Sequence, residues 1–390
     1  MISVETALTE IFSLVAPLET EEIAVSEAAG RVLRLPVVAS RDQPPFDASA
    51  MDGYAVADPV AAGGRFKIIG QASAGASFSG SVGANEAVRI FTGAPVPDGA
   101  TRILIQENVT RDGEHITLDT SPDPTTHIRP RAQDFAAGDQ ISAPRRLRPV
   151  ELALLAAMNC PQVTVSKRPE VTIIATGDEL VMPGETPRAD QIIASNAFAI
   201  KAIAEAEGAH ARILPIARDT EESLRAVFEL AQGADMIITI GGASVGDFDL
   251  VGPVCEALGA RRSFYKVAMR PGKPLMAGRL GDALLLGLPG NPVSSIVCAH
   301  LFMRPALRAM LGLGAYPMPS ATASLTHDID ANGPRAHYMR ARLGPGPSIT
   351  ALPRQDSALL GVLAEADALL IRAPHDPARE EGEHMRYILL

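Results

Sequence analysis

Between residues 167 and 315, apolar runs of strand length alternate with amphipathic helical stretches, and no other feature of the chain constrains its fold as strongly. Residues 171–175, 213–217, 236–240, 264–268 and 284–288 read as buried strands. Residues 195–207, closed by Gly208, read as a helix, as do residues 219–231, opened by an Asp219…Glu222 capping box. A third helix starts at Pro292 and runs to Met310. Such alternation predicts a mostly parallel sheet covered by helices. Ligands of sheets like this bind beyond the carboxyl ends of the strands.

The predicted strand ends are rich in turn and acidic residues. They read Thr176-Gly-Asp-Glu179, Arg218-Asp219, Gly241-Gly-Ala-Ser-Val-Gly-Asp-Phe-Asp249 and Pro289-Gly-Asn-Pro-Val-Ser294. Gly241, Gly242 and Gly246 allow a turn with bared N–H groups, Ser244 adds a hydroxyl, and Asp247 and Asp249 add carboxylates, a set suited to an anion accompanied by a divalent cation. By itself the same stretch is equally a tight strand-to-helix turn capped by Ser244 or Asp247. The four ends together favour a site, since parallel topology brings them to one rim. Lys266, Arg270 and Lys273 fall between two core strands and read as an anion clamp, and Gly290-Asn291 opening onto the Pro292 helix adds N–H donors and a positive dipole end.

Several classes are excluded or weakened. A net charge of −10 argues against broad nucleic-acid binding. Cys160, Cys255 and Cys298 are too far apart for a CxxC element, and the histidines form no HxxxH pair. The chain has neither a GxxxxGK[ST] loop nor a GxGxxG pattern, which weakens kinase-like and NAD-dependent readings. No signal peptide or membrane span is expected, so the expected location is the cytoplasm.

At 390 residues the chain is long enough for several domains. The expected fold class is α/β plus β, in four parts. Residues 1–40 and 138–166 form a discontinuous helical and extended unit, in which an amphipathic helix over 3–15 meets a second over 149–158. Residues 41–137 are an inserted β-rich domain, 167–315 the α/β domain, and 316–390 a C-terminal β domain. In the β-rich part, Asp52 in Met51-Asp-Gly-Tyr54, Thr92 before Gly-Ala-Pro95, and Asp134 beside Arg129 and Arg131 are candidate site residues. Each is also explained as a turn residue or an ion-pair partner.

Six motifs, in order along nearly the whole chain, are similar to those of the molybdopterin molybdenumtransferase family, which includes bacterial MoeA and the E domain of gephyrin. They are Ser49-Ala-Met-Asp-Gly-Tyr-Ala-Val56, Thr92-Gly-Ala-Pro95, Thr176-Gly-Asp-Glu-Leu180, Gly241-Gly-Ala-Ser-Val-Gly-Asp247, Met269-Arg-Pro-Gly-Lys-Pro274 and Leu288-Pro-Gly-Asn-Pro-Val-Ser294. The resemblance implies a molybdopterin-binding sheet domain and a homodimer whose clefts combine this domain with the partner's β-rich domain. It also implies insertion of molybdate into adenylylated molybdopterin, with Mg2+ assisting release of AMP.

Carried over by motif, Asp52, Thr92 and Asp134 come from the partner subunit. Glu179, Asp219, Asp249, Lys266, Arg270, Pro289 and Pro292 line the cleft, with Gly177, Gly241, Gly242, Ser244, Gly246, Lys273, Gly290 and Asn291 cradling the ligand. Asp178, Glu179 and Asp249 are the expected Mg2+ ligands, and Ser294, Arg335 and Ser357 the expected molybdate contacts. Implied partners are a molybdopterin adenylyltransferase upstream and molybdoenzyme apoproteins downstream. Adenylylation of molybdopterin itself, and a non-enzymatic gephyrin-like scaffold, are the competing functions.

Overall fold

In the computed structural model, residues 1–241 and 250–390 are described. The sheet region carries six strands in the order His210–Ile213, Glu170–Ala175, Met236–Ile240, Ala283–Leu288, Met276–Leu280 and Arg261–Tyr265. The first four run parallel, with Ile174 opposite Thr239 and Thr239 opposite Gly287. The Met276–Leu280 strand then returns antiparallel in a hairpin, so the sheet is mixed rather than parallel throughout. The central strands are buried along their full length, as expected of strands with a helix layer on each face.

Local details differ from the sequence expectation for identifiable reasons. The edge strand is His210–Ile213, because Pro215 cannot donate to a ladder; the chain rejoins the sheet only at the Thr176–Ala217 bridge. The next helix is Glu221–Leu230, capped by Thr220, whose hydroxyl accepts from the Ser223 N–H; Asp219 lies outside it with its own N–H on Asp178. The strand expected over 264–268 ends at Tyr265, since Lys266 takes φ 72° and turns the chain. The helix opened by Pro292 continues to Met310 but passes through a π turn, Ala299–Met303.

The first helix, Val4–Ser13, capped by Ser3, buries Val4, Ala7, Leu8 and Ile11 in the core of this sheet region, beside Phe264 and Val267. It does not pack on the Pro149–Ala157 helix, which belongs to a separate cluster with Leu33, Val163 and Val165. Strands Thr20–Ala24 and Val32–Leu33 nevertheless share a four-stranded sheet with Arg145–Arg146 and Gln162–Ser166. Between these segments a six-stranded β unit forms around Gly53–Val56, Glu86–Ile90 and Arg65–Ala72.

At the C-terminus, strands Ala336–Leu343, Ser348–Ala351, Ala321–Leu325, His384–Leu389 and Ala368–Arg372 close on themselves as a barrel through the pairing of the first with the last. A sixth strand is lent by the sheet region: Met269–Arg270 pairs in parallel with Ala336–Leu343, placing Arg270 opposite His337.

Candidate functional site

A cleft of about 580 Å3 opens at the carboxyl ends of the parallel strands. Three turns meet there. Thr176 follows the first strand, and its carbonyl would lie 2.8 Å from a Cβ placed on Gly241, which follows the third; Gly241 in turn lies 3.7 Å from where a Cβ on Gly290 would sit. Only glycine allows this approach at residue 241, where φ is also +92°. The cleft is lined by Glu179 from the first turn and by Pro289, Gly290, Asn291, Pro292 and Ser294 from the last.

The rim of the last turn is held by partners from both sides. The Asn196 amide donates to the Gly290 carbonyl at 2.7 Å. The Asn291 amide donates to the Ser357 hydroxyl at 2.9 Å, and the Ser357 carbonyl accepts from the Val293 N–H at 3.1 Å. Ser357 belongs to the barrel, so the barrel closes one wall of the cleft, where Ala358 also lines it. The Pro292 helix points its N-terminus at this rim, where Pro292 has no N–H and the Val293 N–H is taken by Ser357.

Carboxylates cluster at the first and second strand ends. Asp178 accepts from the Asp219 N–H at 3.3 Å, and desolvation, followed by the charges of Asp178 and Glu179, pushes the Asp219 carboxyl above its ordinary range. Gly177, at φ +141°, packs so closely that a Cβ would meet the Glu179 carboxylate at 2.3 Å. Among the described residues, no three His, Cys, Asp or Glu side chains gather as a metal site. Gly242, Ser244, Gly246, Asp247 and Asp249 lie outside the described residues.

The basic clamp is divided. Pro274 lines the cleft, whereas Lys266, Arg270 and Lys273 do not. The Lys266 ammonium lies 4.9 Å from the centroid of the Tyr265 ring. Lys273 is exposed, and Arg270 faces a second cavity beside the barrel. The Arg335 carbonyl accepts from Asn332, and its side chain lies outside the cleft lining.

Asp52, Thr92 and Asp134 lie in or beside the β-rich unit, and none lines the cleft of its own chain. Asp52 accepts from both the N–H and the hydroxyl of Thr92 at 2.8 Å; these bonds, then the Arg89 charge, hold its carboxyl below the ordinary range. Arg89 donates to the Gly53 carbonyl at 3.0 Å and stacks 4.9 and 4.7 Å from the ring centroids of Tyr54 and Phe91. Asp134 is exposed and has no ion pair among the described residues, because Arg131 pairs with Asp42 instead.

Sequence reasoning missed Arg340. It is 0% exposed, donates to the carbonyls of Arg354 and Asp356 beside Ser357, and leaves its Nε and Nη1 without partners among the described residues. A buried guanidinium with unused donors is a group that an anion would satisfy. Only its position in an alternating strand hinted at burial. Ile192 and Ile193, which also line the cleft, gave no signal, because a two-residue strand in a loop carries no periodicity.

Comparison with known proteins converges on one family. The chain matches the MoeA N-terminal region (domain I and II) over residues 2–159, a probable molybdopterin binding domain over 172–309 and the MoeA C-terminal region (domain IV) over 322–390. It is 34% identical to a molybdopterin molybdenumtransferase of Nostoc sp. over 87% of this chain and 81% of that protein. With a protein of the same name from Haemophilus influenzae it shares 35% identity, over 78% of this chain and 76% of the relative. The structure of the molybdopterin biosynthesis moeA protein of Pyrococcus horikoshii OT3 matches at a TM-score of 0.85 and 25% identity, covering 100% of both chains.

Proposed function

The chain belongs to the molybdopterin molybdenumtransferase family, and from that premise we propose that its cleft inserts molybdate into adenylylated molybdopterin and releases AMP. One observation carries this reading: the turns after Glu170–Ala175, Met236–Ile240 and Ala283–Leu288 converge on a single cleft, with barrel residue Ser357 tied to its rim. The substrate is polyanionic, and this rim offers glycine-turn backbone and a helix N-terminus. Preorganised donors of this kind favour charge that develops on phosphoanhydride and oxyanion oxygens.

Asp178 and Glu179, together with Asp249, would hold Mg2+ through hard oxygen donors. The charges of Asp178 and Glu179, which together with the larger effect of desolvation raise the Asp219 carboxyl, are negative charges that a divalent cation would offset. Bound there, Mg2+ supplies charge neutralisation for the phosphoanhydride. The chain's own groups do the positioning: Asn291 and Gly290 hold the rim, and Asn196 fixes Gly290.

Asp52, Thr92 and Asp134 act in the cleft of the partner subunit of a homodimer. Exposed Ile192 and Ile193 on the cleft wall, with exposed Phe198 on the adjoining helix, offer apolar surface for that contact. Adenylylated molybdopterin comes from a molybdopterin adenylyltransferase, and the product passes to molybdoenzyme apoproteins in the cytoplasm. No helix among the described residues is long and apolar enough to cross a membrane. The test is to mix the purified chain with adenylylated molybdopterin, Mg2+ and molybdate and follow AMP. Release that depends on molybdate is expected; no AMP from adenylylated molybdopterin, with pyrophosphate released instead from ATP and molybdopterin, would overturn the assignment.

A further inference from the structure

Between the Thr176–Ala217 bridge and the helix Glu221–Leu230 the chain turns through Arg218, an exposed cation. Among the described residues it forms no ion pair, whereas Arg188 and Arg225 pair with Asp190 and Glu221. Its guanidinium goes to backbone instead: Nη1 donates to the Asp178 carbonyl at 3.2 Å and to the Leu180 carbonyl at 3.3 Å. These carbonyls stand on either side of Glu179. The Glu179 carbonyl between them accepts from the Ile192 N–H at 2.8 Å. Three successive carbonyls are thus held, and the residue at their centre lines the cleft.

Arg218 is itself anchored at the start of a helix. Its N–H donates to the Ser223 hydroxyl at 2.9 Å, and its carbonyl accepts from the N–H of the capping Thr220 at 2.7 Å. Fixing so long a side chain costs rotamer entropy, and no opposite charge offsets it here. The gain is positional. An ion pair between Arg218 and Glu179 would occupy oxygens that a divalent cation requires. Donation to the flanking carbonyls holds the same turn and leaves the Glu179 carboxylate without a hydrogen bond or ion pair among the described residues.

We propose that Arg218 is a positioning residue: by gripping the carbonyls on both sides of Glu179 it sets that carboxylate at the cleft for a divalent cation, a role that rests on the reading of Glu179 as an Mg2+ ligand. Charge and position act with opposite signs here. If Arg218 acted only as a positive charge it would repel a cation, and its removal would tighten metal binding. As a group that orients a ligand, its removal loosens metal binding, typically by tenfold or more.

The probe is Mn2+, titrated into the full-length chain and followed by electron paramagnetic resonance, with Arg218→Ala and Glu179→Ala beside the unaltered chain. Arg218→Ala is expected to raise the Mn2+ Kd by about tenfold, and Glu179→Ala by at least as much. In Arg218→Ala the Mg2+ concentration that half-saturates molybdate-dependent AMP release should rise by the same factor, with a smaller change in the rate at saturating Mg2+. Lost affinity in Glu179→Ala, with equal or tighter binding in Arg218→Ala, overturns the role of Arg218 and leaves the metal reading standing. Equal affinity in Glu179→Ala and the unaltered chain overturns both. If Arg218→Ala does not fold, Arg218→Lys, which keeps the charge but not the planar donor group, is expected to weaken Mn2+ binding as well, and unchanged affinity there overturns the proposal.

Discussion

Replacing Gly241 by Ala tests whether the close meeting of turns builds the cleft. The new Cβ would sit 2.8 Å from the Thr176 carbonyl oxygen and 3.0 Å from its hydroxyl, and the residue would be held at φ +92°. The left-handed backbone costs about 1–2 kcal/mol for an L residue. Loss of glycine's freedom in the unfolded chain returns about 0.5–1 kcal/mol of this. Relieving the contact with a backbone oxygen adds about 1–3 kcal/mol. Gly259 is an internal control, because it also has φ +92° but has nothing within 4 Å of its Cβ position. Gly259→Ala should therefore lose about 1 kcal/mol, and Gly241→Ala about 2–4 kcal/mol, in urea unfolding. Displacement of the turn should also lower molybdate-dependent AMP release in Gly241→Ala by about tenfold or more, since small misplacements are amplified at a reacting centre. Equal stability losses in the two variants, with activity intact in Gly241→Ala, would refute the close-approach argument.

Three further outcomes follow from the same geometry. Asp52→Ala and Glu179→Ala, each inactive alone, should recover part of the activity when co-expressed as mixed dimers, because one cleft then carries neither lesion; no recovery would remove the shared site. Thr92→Val deletes one of two bonds that hold the Asp52 carboxyl low, so the acidic limb of the kcat/KM profile should move to higher pH, and an unmoved limb would detach Asp52 from the rate. Burial, and then the Arg304 charge, push the His300 imidazole from 6.5 down to about 4 in the folded chain, so the unfolded chain takes up the proton first as pH falls. The contribution of a neutral His300 is therefore full above about pH 6.5 and is lost as pH falls towards about 4. His300→Gln should reduce the fall of the urea midpoint across that window, and an unaltered fall would show that His300 is not the titrating group.

Much of the cleft was legible because its parts are turns, and turns announce themselves by composition. Gly241, Pro289, Gly290, Asn291 and Pro292 fall where a chain must leave a strand and enter a helix, and backbone sterics leave few other residue choices there. The position of Arg270 was not legible in the same way. Spacing placed it in a loop between core strands, but whether it faces the cleft or the barrel depends on the parallel pairing of Met269–Arg270 with Ala336–Leu343, whose paired positions are 67 residues apart in sequence. Pairing over such a distance leaves no local periodicity. Likewise, the contact of Ser357 with Asn291 joins two polar loop residues that individually look exposed.

The barrel is consequently part of the cleft rather than an appendage to it. Tyr338, Leu363, Leu369 and Ile388 of the barrel region share one apolar cluster with Leu286, Val293 and Phe302 of the sheet region, so separating the two would expose core surface on both. The lent strand Met269–Arg270 and the Ser357 contacts at the helix entrance add directional bonds to that non-directional burial. Apolar packing alone would let the barrel slide, whereas these bonds fix its register against the turn at Gly290-Asn291. A wall held in this way keeps Ser357 at a fixed place against the turn at Gly290-Asn291, the preorganisation that polar groups facing a charged ligand require.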